Sequence, residues 1–95
     1  LILLDGFIVT ASLLVASRMD PRVCRHVVAC HASAEPAHRP CLQQMGLEPL
    51  LDLGMRLGEG SGAALAWPLV RAAVEMFNGM TSFSEGGVIY EVTPI

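Results

Sequence analysis

The 95-residue chain contains no lysine, and its six basic residues are arginines spread along its length. Charged residues make up only 16% of it and aromatic residues 5%. No basic patch interleaved with aromatics exists, so nucleic acid is not an expected partner. The net charge of −3 favours solubility without pointing to any ligand. Long apolar runs are missing too. The most apolar window, Leu1 to Ala16, is interrupted by Asp5, Gly6, Thr10 and Ser12. It falls short of the roughly 20 residues a membrane-spanning helix needs, and it lacks the basic start of a signal peptide. No membrane association is expected.

Cysteine is scarce and odd in number: Cys24, Cys30 and Cys41, with no Cys-x-x-Cys. That excludes a disulfide scaffold and fits a reducing cytoplasm. Together with His26, His31 and His38 these cysteines lack the tight pairs of a zinc site, so no metal is expected. A phosphate-binding P-loop would need Gly-Lys-Ser/Thr, and a dinucleotide fingerprint a third glycine at position 63. Both are absent. No nucleophile elbow occurs, which removes support for a serine hydrolase.

What is abundant is apolar surface. Hydrophobic residues make up 53% and the mean hydropathy is +0.52, against about 45–50% apolar residues in ordinary soluble domains. Small domains also bury a smaller fraction of their surface than large ones. With a first residue, Leu1, inside an apolar run, the chain reads as a piece of a longer protein whose remainder, or a second subunit, covers the excess.

The order of elements reads as α/β. Leu1–Leu4 is a buried strand ending in the turn Asp5-Gly6. Phe7–Arg18, apolar or small throughout, predicts a helix buried nearly all round. Asp20-Pro21 opens a turn or short helix. The β-branched run His26–Cys30 predicts a second strand. A loop, His31–Glu35, leads to a helix over Pro36–Met45, capped by Ser33 or Glu35 and closed by Gly46. Leu47–Leu57 is ambiguous between strand and helix. A long helix is expected over Ala63–Gly79, with Arg71, Glu75 and Asn78 on one stripe and Pro68 marking a kink or a second start. Thr81–Gly87 reads as a turn or short helix, and Val88–Ile95 as strand-like. Strand, helix, strand, helix is the grammar of a parallel sheet, and two short strands do not make a stable sheet alone.

Two stretches could carry chemistry. Gly58-Glu59-Gly60-Ser61-Gly62 precedes the long helix, where glycines permit close approach and free N–H groups favour an anion. Glu59 within it reads either as an acid favoured by the helix N-terminus or as a catalytic base presented on a turn. His31-Ala32-Ser33-Ala34-Glu35-Pro36 lies where a strand feeds a helix, the usual ligand position in open α/β sheets. There Ser33 is either a phosphate donor or an N-cap, and His31 either a ligand or acid/base group or a satisfied strand-end residue.

Arg56-Leu57-Gly58-Glu59-Gly60-Ser61-Gly62-Ala63-Ala64 resembles the C-terminal motif of the nicotinate-nucleotide–dimethylbenzimidazole phosphoribosyltransferases. Leu4-Asp5-Gly6-Phe7, His31-x-Ser33-Ala34-Glu35-Pro36 and Gly46 through Gly54 match in the same order, and Met76-Phe77-Asn78 and the turn at 81–87 look similar. The likeness covers about positions 1–88, and the tail that follows, to residue 95, is atypical. The resemblance implies the C-terminal part of a parallel-sheet, Rossmann-like domain with mostly buried helices and a helical C-terminal segment. It implies transfer of phosphoribose from nicotinate mononucleotide to 5,6-dimethylbenzimidazole, in assembly of the cobalamin nucleotide loop. It also implies a cytoplasmic homodimer without metal or organic cofactor. Glu59 matches the catalytic glutamate. Ser33, Arg56, Leu57, Gly58 and Gly60 would hold phosphate or frame the base pocket, although Arg56 could equally pair with Asp52. The family's lysine and an earlier glycine-rich segment would lie before Leu1, so the isolated piece is expected to be inactive and poorly soluble. The residues alone also permit a non-enzymatic module binding a phosphorylated small molecule, or a structural dimerisation piece using the helix Ala63–Phe77.

Overall fold

The computed structural model describes residues 1–56 and 58–80. The turn expected at 81–87 and the strand-like stretch at 88–95 lie outside the described residues. The order is β1 (Ile2–Leu4), α1 (Phe7–Met19), a 3-10 helix (Pro21–His26), β2 (Val27–Ala29), α2 (His38–Gln44) and α3 (Ser61–Gly79). β1 and β2 pair in parallel, Ile2 opposite Val27 and Leu4 opposite Ala29. The expected α/β architecture is therefore present, in a sheet of two short strands.

Leu4, Leu13, Ala29 and Leu42 form the core, with Val23, Val27, Met45 and Leu47 packed against it. α1 buries one stripe, Thr10, Leu13 and Ser17. Their spacing of three and four places them on one face. Thr10 and Ser17 can be buried because each hydroxyl donates back to a carbonyl, of Gly6 and of Leu14. The opposite face carries Ile8 and Val15 exposed to solvent. α1 is thus buried on one side, not all round: among the described residues nothing covers its other face.

α2 starts at His38, two residues later than Pro36. The backbone first makes a tight turn, in which the Ser33 hydroxyl accepts from the Glu35 N–H at 3.2 Å, and Ala37 occupies the N-cap without a side-chain cap. Ser33 is therefore not the helix cap. Gly46, at φ +67, ends α2 as expected. Its N–H reaches Gln43 and that of Leu47 reaches Leu42, the two bonds of a glycine-terminated helix end.

The ambiguous stretch after Gly46 is neither helix nor regular strand. It runs extended beside the end of β2. Leu50 and Leu51 donate to Ala29 and Cys30, Ala32 donates to Leu51, and Ala34 donates to Met55. α3 is one helix of 19 residues running through Pro68. It buries only Gly62 and Ala66, and leaves Trp67, Met76 and Phe77 exposed. The expectation of mostly buried helices does not hold for α3 here, because among the described residues only its first turns have anything to pack against. No helix among the described residues is long and apolar enough to cross a membrane.

Candidate active site

A cleft of about 350 Å³ opens at the carboxyl ends of the two strands. Such crevices are where ligands bind in open α/β sheets. Asp5 follows β1, His31 and Ser33 follow β2, and Arg56, Gly58 and Glu59 approach from the loop before α3. All six line the cleft. Of the residues expected from sequence, Ser33, Arg56, Gly58 and Glu59 are thus brought together. Gly60 does not line the cleft but stands at the N-cap of α3. Leu57 lies outside the described residues.

The loop has a distinctive backbone. Gly58, Glu59 and Gly60 are all left-handed, at φ 73, 58 and 83. Glycine takes this conformation freely, but a residue with a Cβ pays about 1–2 kcal/mol. The turn leads straight into α3, whose free N–H groups were expected to favour an anion. They are already occupied. Asp5 accepts from Gly60 through Oδ2 at 3.0 Å, and from Gly62 and Ala63 through Oδ1 at 2.7 and 3.2 Å. Ser61 N–H is taken by the Gly58 carbonyl and Ala64 N–H by that of Gly60. The helix start is an anion site filled by the protein's own carboxylate.

The helix-capping reading of Glu59 does not hold. The helix-capping acid is Asp5, and Glu59 precedes the N-cap. Its exposed carboxylate accepts no hydrogen bond among the described residues, and it borders the cleft. Arg56 does not pair with Asp52, which binds Arg39 instead, and Arg56 is one of the residues that line the cleft. Ser33 is half-buried. Its hydroxyl accepts from Glu35, which leaves the O–H proton available to a ligand oxygen.

Two histidines here are buried: His31, which the sequence offered as a ligand or acid/base group or a satisfied strand-end residue and which lines the cleft, and His38, which it did not single out for this site. His38 Nδ1 accepts the Ser33 N–H at 2.7 Å, and Nε2 stands 2.9 Å from the Thr10 hydroxyl. Since the Ser33 amide can only donate, the proton of the neutral ring sits on Nε2 and points to Thr10. The Thr10 hydroxyl in turn donates to the Gly6 carbonyl at 2.6 Å. Burial, then the nearby His31 and Arg39, lowers the His38 pKa against an opposing pull from Asp5. A depressed histidine binds its proton more readily when unfolded, so it contributes stability that is full above the unfolded value of about 6.5 and is lost as pH falls below it. Urea midpoints should therefore be flat above neutral pH and fall below about 6.5, and a His38→Asn variant should flatten that fall. An unchanged acid slope in the variant would contradict the assignment.

His31 is 2% exposed, and neither ring nitrogen has a hydrogen-bond partner among the described residues. Nε2 lies 3.6 Å from Asp5 Oδ1, and the ring meets His38 edge-on at 6.1 Å. The first turn of α3 sits directly on it. A Cβ at Gly62 would fall 2.0 Å from His31 Cδ2 and 2.7 Å from Asp5 Oδ1. Asp5 and Gly62 were legible in sequence as members of matched motifs and His38 as a helix residue, and none of the three was read as a site residue. The position of Asp5 directly after a strand was a further hint. Among the described residues no group of histidine, cysteine and acidic side chains is arranged to hold a metal ion.

Comparisons with known proteins find relatives over almost the whole chain. A family model described as phosphoribosyltransferase matches residues 1–88. A nicotinate-nucleotide–dimethylbenzimidazole phosphoribosyltransferase of Dechloromonas aromatica is 58% identical over 87 residues, covering 92% of this chain and 25% of the relative. One of Cupriavidus necator is 56% identical over the same shares. The crystal structure of the enzyme of that name from Thermus thermophilus superposes with a TM-score of 0.83 at 50% identity, over 94% of this chain and 27% of that one. The chain spans about a quarter of the length of the curated relatives it matches. With a family match over almost its whole length and the cleft where such sheets bind ligands, the chain belongs to the nicotinate-nucleotide–dimethylbenzimidazole phosphoribosyltransferase family.

Proposed function

We propose that this segment supplies the catalytic base, Glu59, of an enzyme that transfers phosphoribose from nicotinate mononucleotide to 5,6-dimethylbenzimidazole. The products are α-ribazole 5′-phosphate and nicotinate, for the cobalamin nucleotide loop. The observation that carries this reading is that Asp5 performs the capping role at α3. The Glu59 carboxylate is left without a structural partner among the described residues, at the edge of the cleft.

The chemistry fits a lone carboxylate. One benzimidazole nitrogen attacks C1′ through its lone pair. The bond from C1′ to the pyridinium nitrogen breaks, and its electrons neutralise the pyridinium charge as nicotinate leaves. The benzimidazole ring is then cationic and its second N–H becomes acidic. Glu59 accepts that proton and stabilises the positive charge as it grows. Attack on the face opposite the leaving group inverts the anomeric carbon. In this reading Ser33, Arg56, Leu57 and Gly58 hold phosphate or frame the base pocket, and Gly60, at the N-cap of α3, serves the turn that carries Glu59. Residues 1–95 form the C-terminal part of one phosphoribosyltransferase domain, with an atypical tail after residue 88. The full protein is a cytoplasmic homodimer.

The test is a chimaera in which residues 1–88 replace the matching quarter of the Dechloromonas aromatica relative. Release of nicotinate dependent on dimethylbenzimidazole supports the proposal. Binding of nicotinate mononucleotide without turnover would instead favour a binding module, and absence of binding a structural piece. The 95-residue chain alone should show no turnover.

A further inference from the structure

We propose that Asp5 is a positioning residue for Glu59, acting through the backbone of the glycine loop. The inference rests on the catalytic reading of Glu59. The Glu59 carboxylate makes no hydrogen bond among the described residues that would fix it, so its place is set by its backbone. That backbone is left-handed and flanked by two left-handed glycines, a stretch without side-chain packing of its own. Immediately after Glu59, the Gly60 N–H is tied to Asp5 Oδ2. The other oxygen, Oδ1, holds Gly62 and Ala63 in the rigid first turn of α3. One carboxylate therefore locks the end of the loop to both β1 and the helix.

Asp5 is itself immobilised. It follows β1 directly, and its side chain is 15% exposed. The buried ring of His31 stands behind Oδ1 at 3.6 Å, and the missing Cβ of Gly62 allows all three groups to meet. A carboxylate is required because both of its oxygens only accept. In Asp5→Asn, whichever way the amide turns, its NH₂ faces an N–H that the carboxylate had accepted. Either the Gly60 tie or the pair to Gly62 and Ala63 is lost, while the size of the side chain is kept.

The test is a double-mutant cycle in the chimaera, reading kcat, KM and melting temperature for Asp5→Asn, Glu59→Gln and the combination. A displaced catalytic group costs up to about 10²-fold in rate, so Asp5→Asn should lower kcat by about 10- to 100-fold with KM for nicotinate mononucleotide little changed. In the Glu59→Gln background the same substitution should lower kcat by less than about threefold, because a residue that acts through another loses its effect when that partner is gone. Equal losses in both backgrounds would overturn the assignment. If Asp5→Asn does not fold, Asp5→Ser keeps a single capping oxygen and takes its place. Loss of the folded state in both variants would make Asp5 a structural cap only, and would also overturn the proposal. If Glu59→Gln alone leaves turnover intact, the catalytic reading fails and this inference with it. If Glu59→Gln cuts turnover and Asp5→Asn does not, only the role of Asp5 fails.

Discussion

Gly62→Ala is expected to destabilise the fold by about 3 kcal/mol, as overpacking of a filled site combined with loss of charged hydrogen bonds predicts. The added Cβ would meet His31 Cδ2 at 2.0 Å, far inside contact distance. His31 cannot swing away. Its backbone is fixed by the bridge to Leu51 and its ring is buried beside His38. The remaining escape is for α3 to lift, which pulls the Gly62 and Ala63 N–H groups from Asp5. Urea denaturation of the chimaera should show the midpoint falling clearly in the Gly62→Ala variant. A similar alanine at Gly58, where a Cβ meets nothing within 4 Å, should cost only the strain of its left-handed backbone, about 1–2 kcal/mol. Equal stability of Gly62→Ala and the parent would refute the close packing of the α3 start.

Glu59→Gln is expected to lower turnover at least about a hundredfold, the lower end of general-base contributions. The substitution preserves size and the capacity to accept a hydrogen bond, but removes the basic oxygen and the negative charge. In the proposed reaction both losses fall on the transition state, where the benzimidazole ring becomes cationic, so kcat should fall more than substrate affinity. Stability should change little, because the Glu59 side chain is exposed and has no partner among the described residues. Glu59→Asp provides a graded check. It retains the charge but draws the carboxylate back by one methylene, so its loss should lie between those of the parent and the glutamine variant. A glutamine variant that unfolds would assign Glu59 a structural role, against the geometry in which Asp5 does the capping.

Strands β1 and β2 were legible because short apolar runs ending at Asp5-Gly6 and at His31 leave few alternatives. α3 was legible from an apolar stretch after a glycine turn, and the end of α2 from Gly46. What escaped the sequence depended on partners distant in the chain. Apolar residues surround α1 on all sides, yet its buried stripe includes Thr10 and Ser17, which only their bonds to backbone carbonyls make suitable. The stretch after Gly46 carries no periodicity of its own, and takes its shape from hydrogen bonds to residues 29–34. Of the anticipated set, Ser33, Arg56, Gly58 and Glu59 line the cleft, Gly60 does not, and Leu57 lies outside the described residues. The reason the loop needs its glycines was not anticipated. Asp5 lies 55 residues before Gly60 in the chain, and nothing local to either reveals that the anion site at α3 is filled from within.

In the proposed reaction Glu59 is the group that takes the benzimidazole proton. The most direct measurement of that role is single-turnover release of nicotinate by the chimaera, with both substrates saturating, for the parent and for Glu59→Gln. The expected result is a rate at least about a hundredfold lower in the variant, with unchanged melting temperature and comparable binding of nicotinate mononucleotide. A rate within a few-fold of the parent would contradict it.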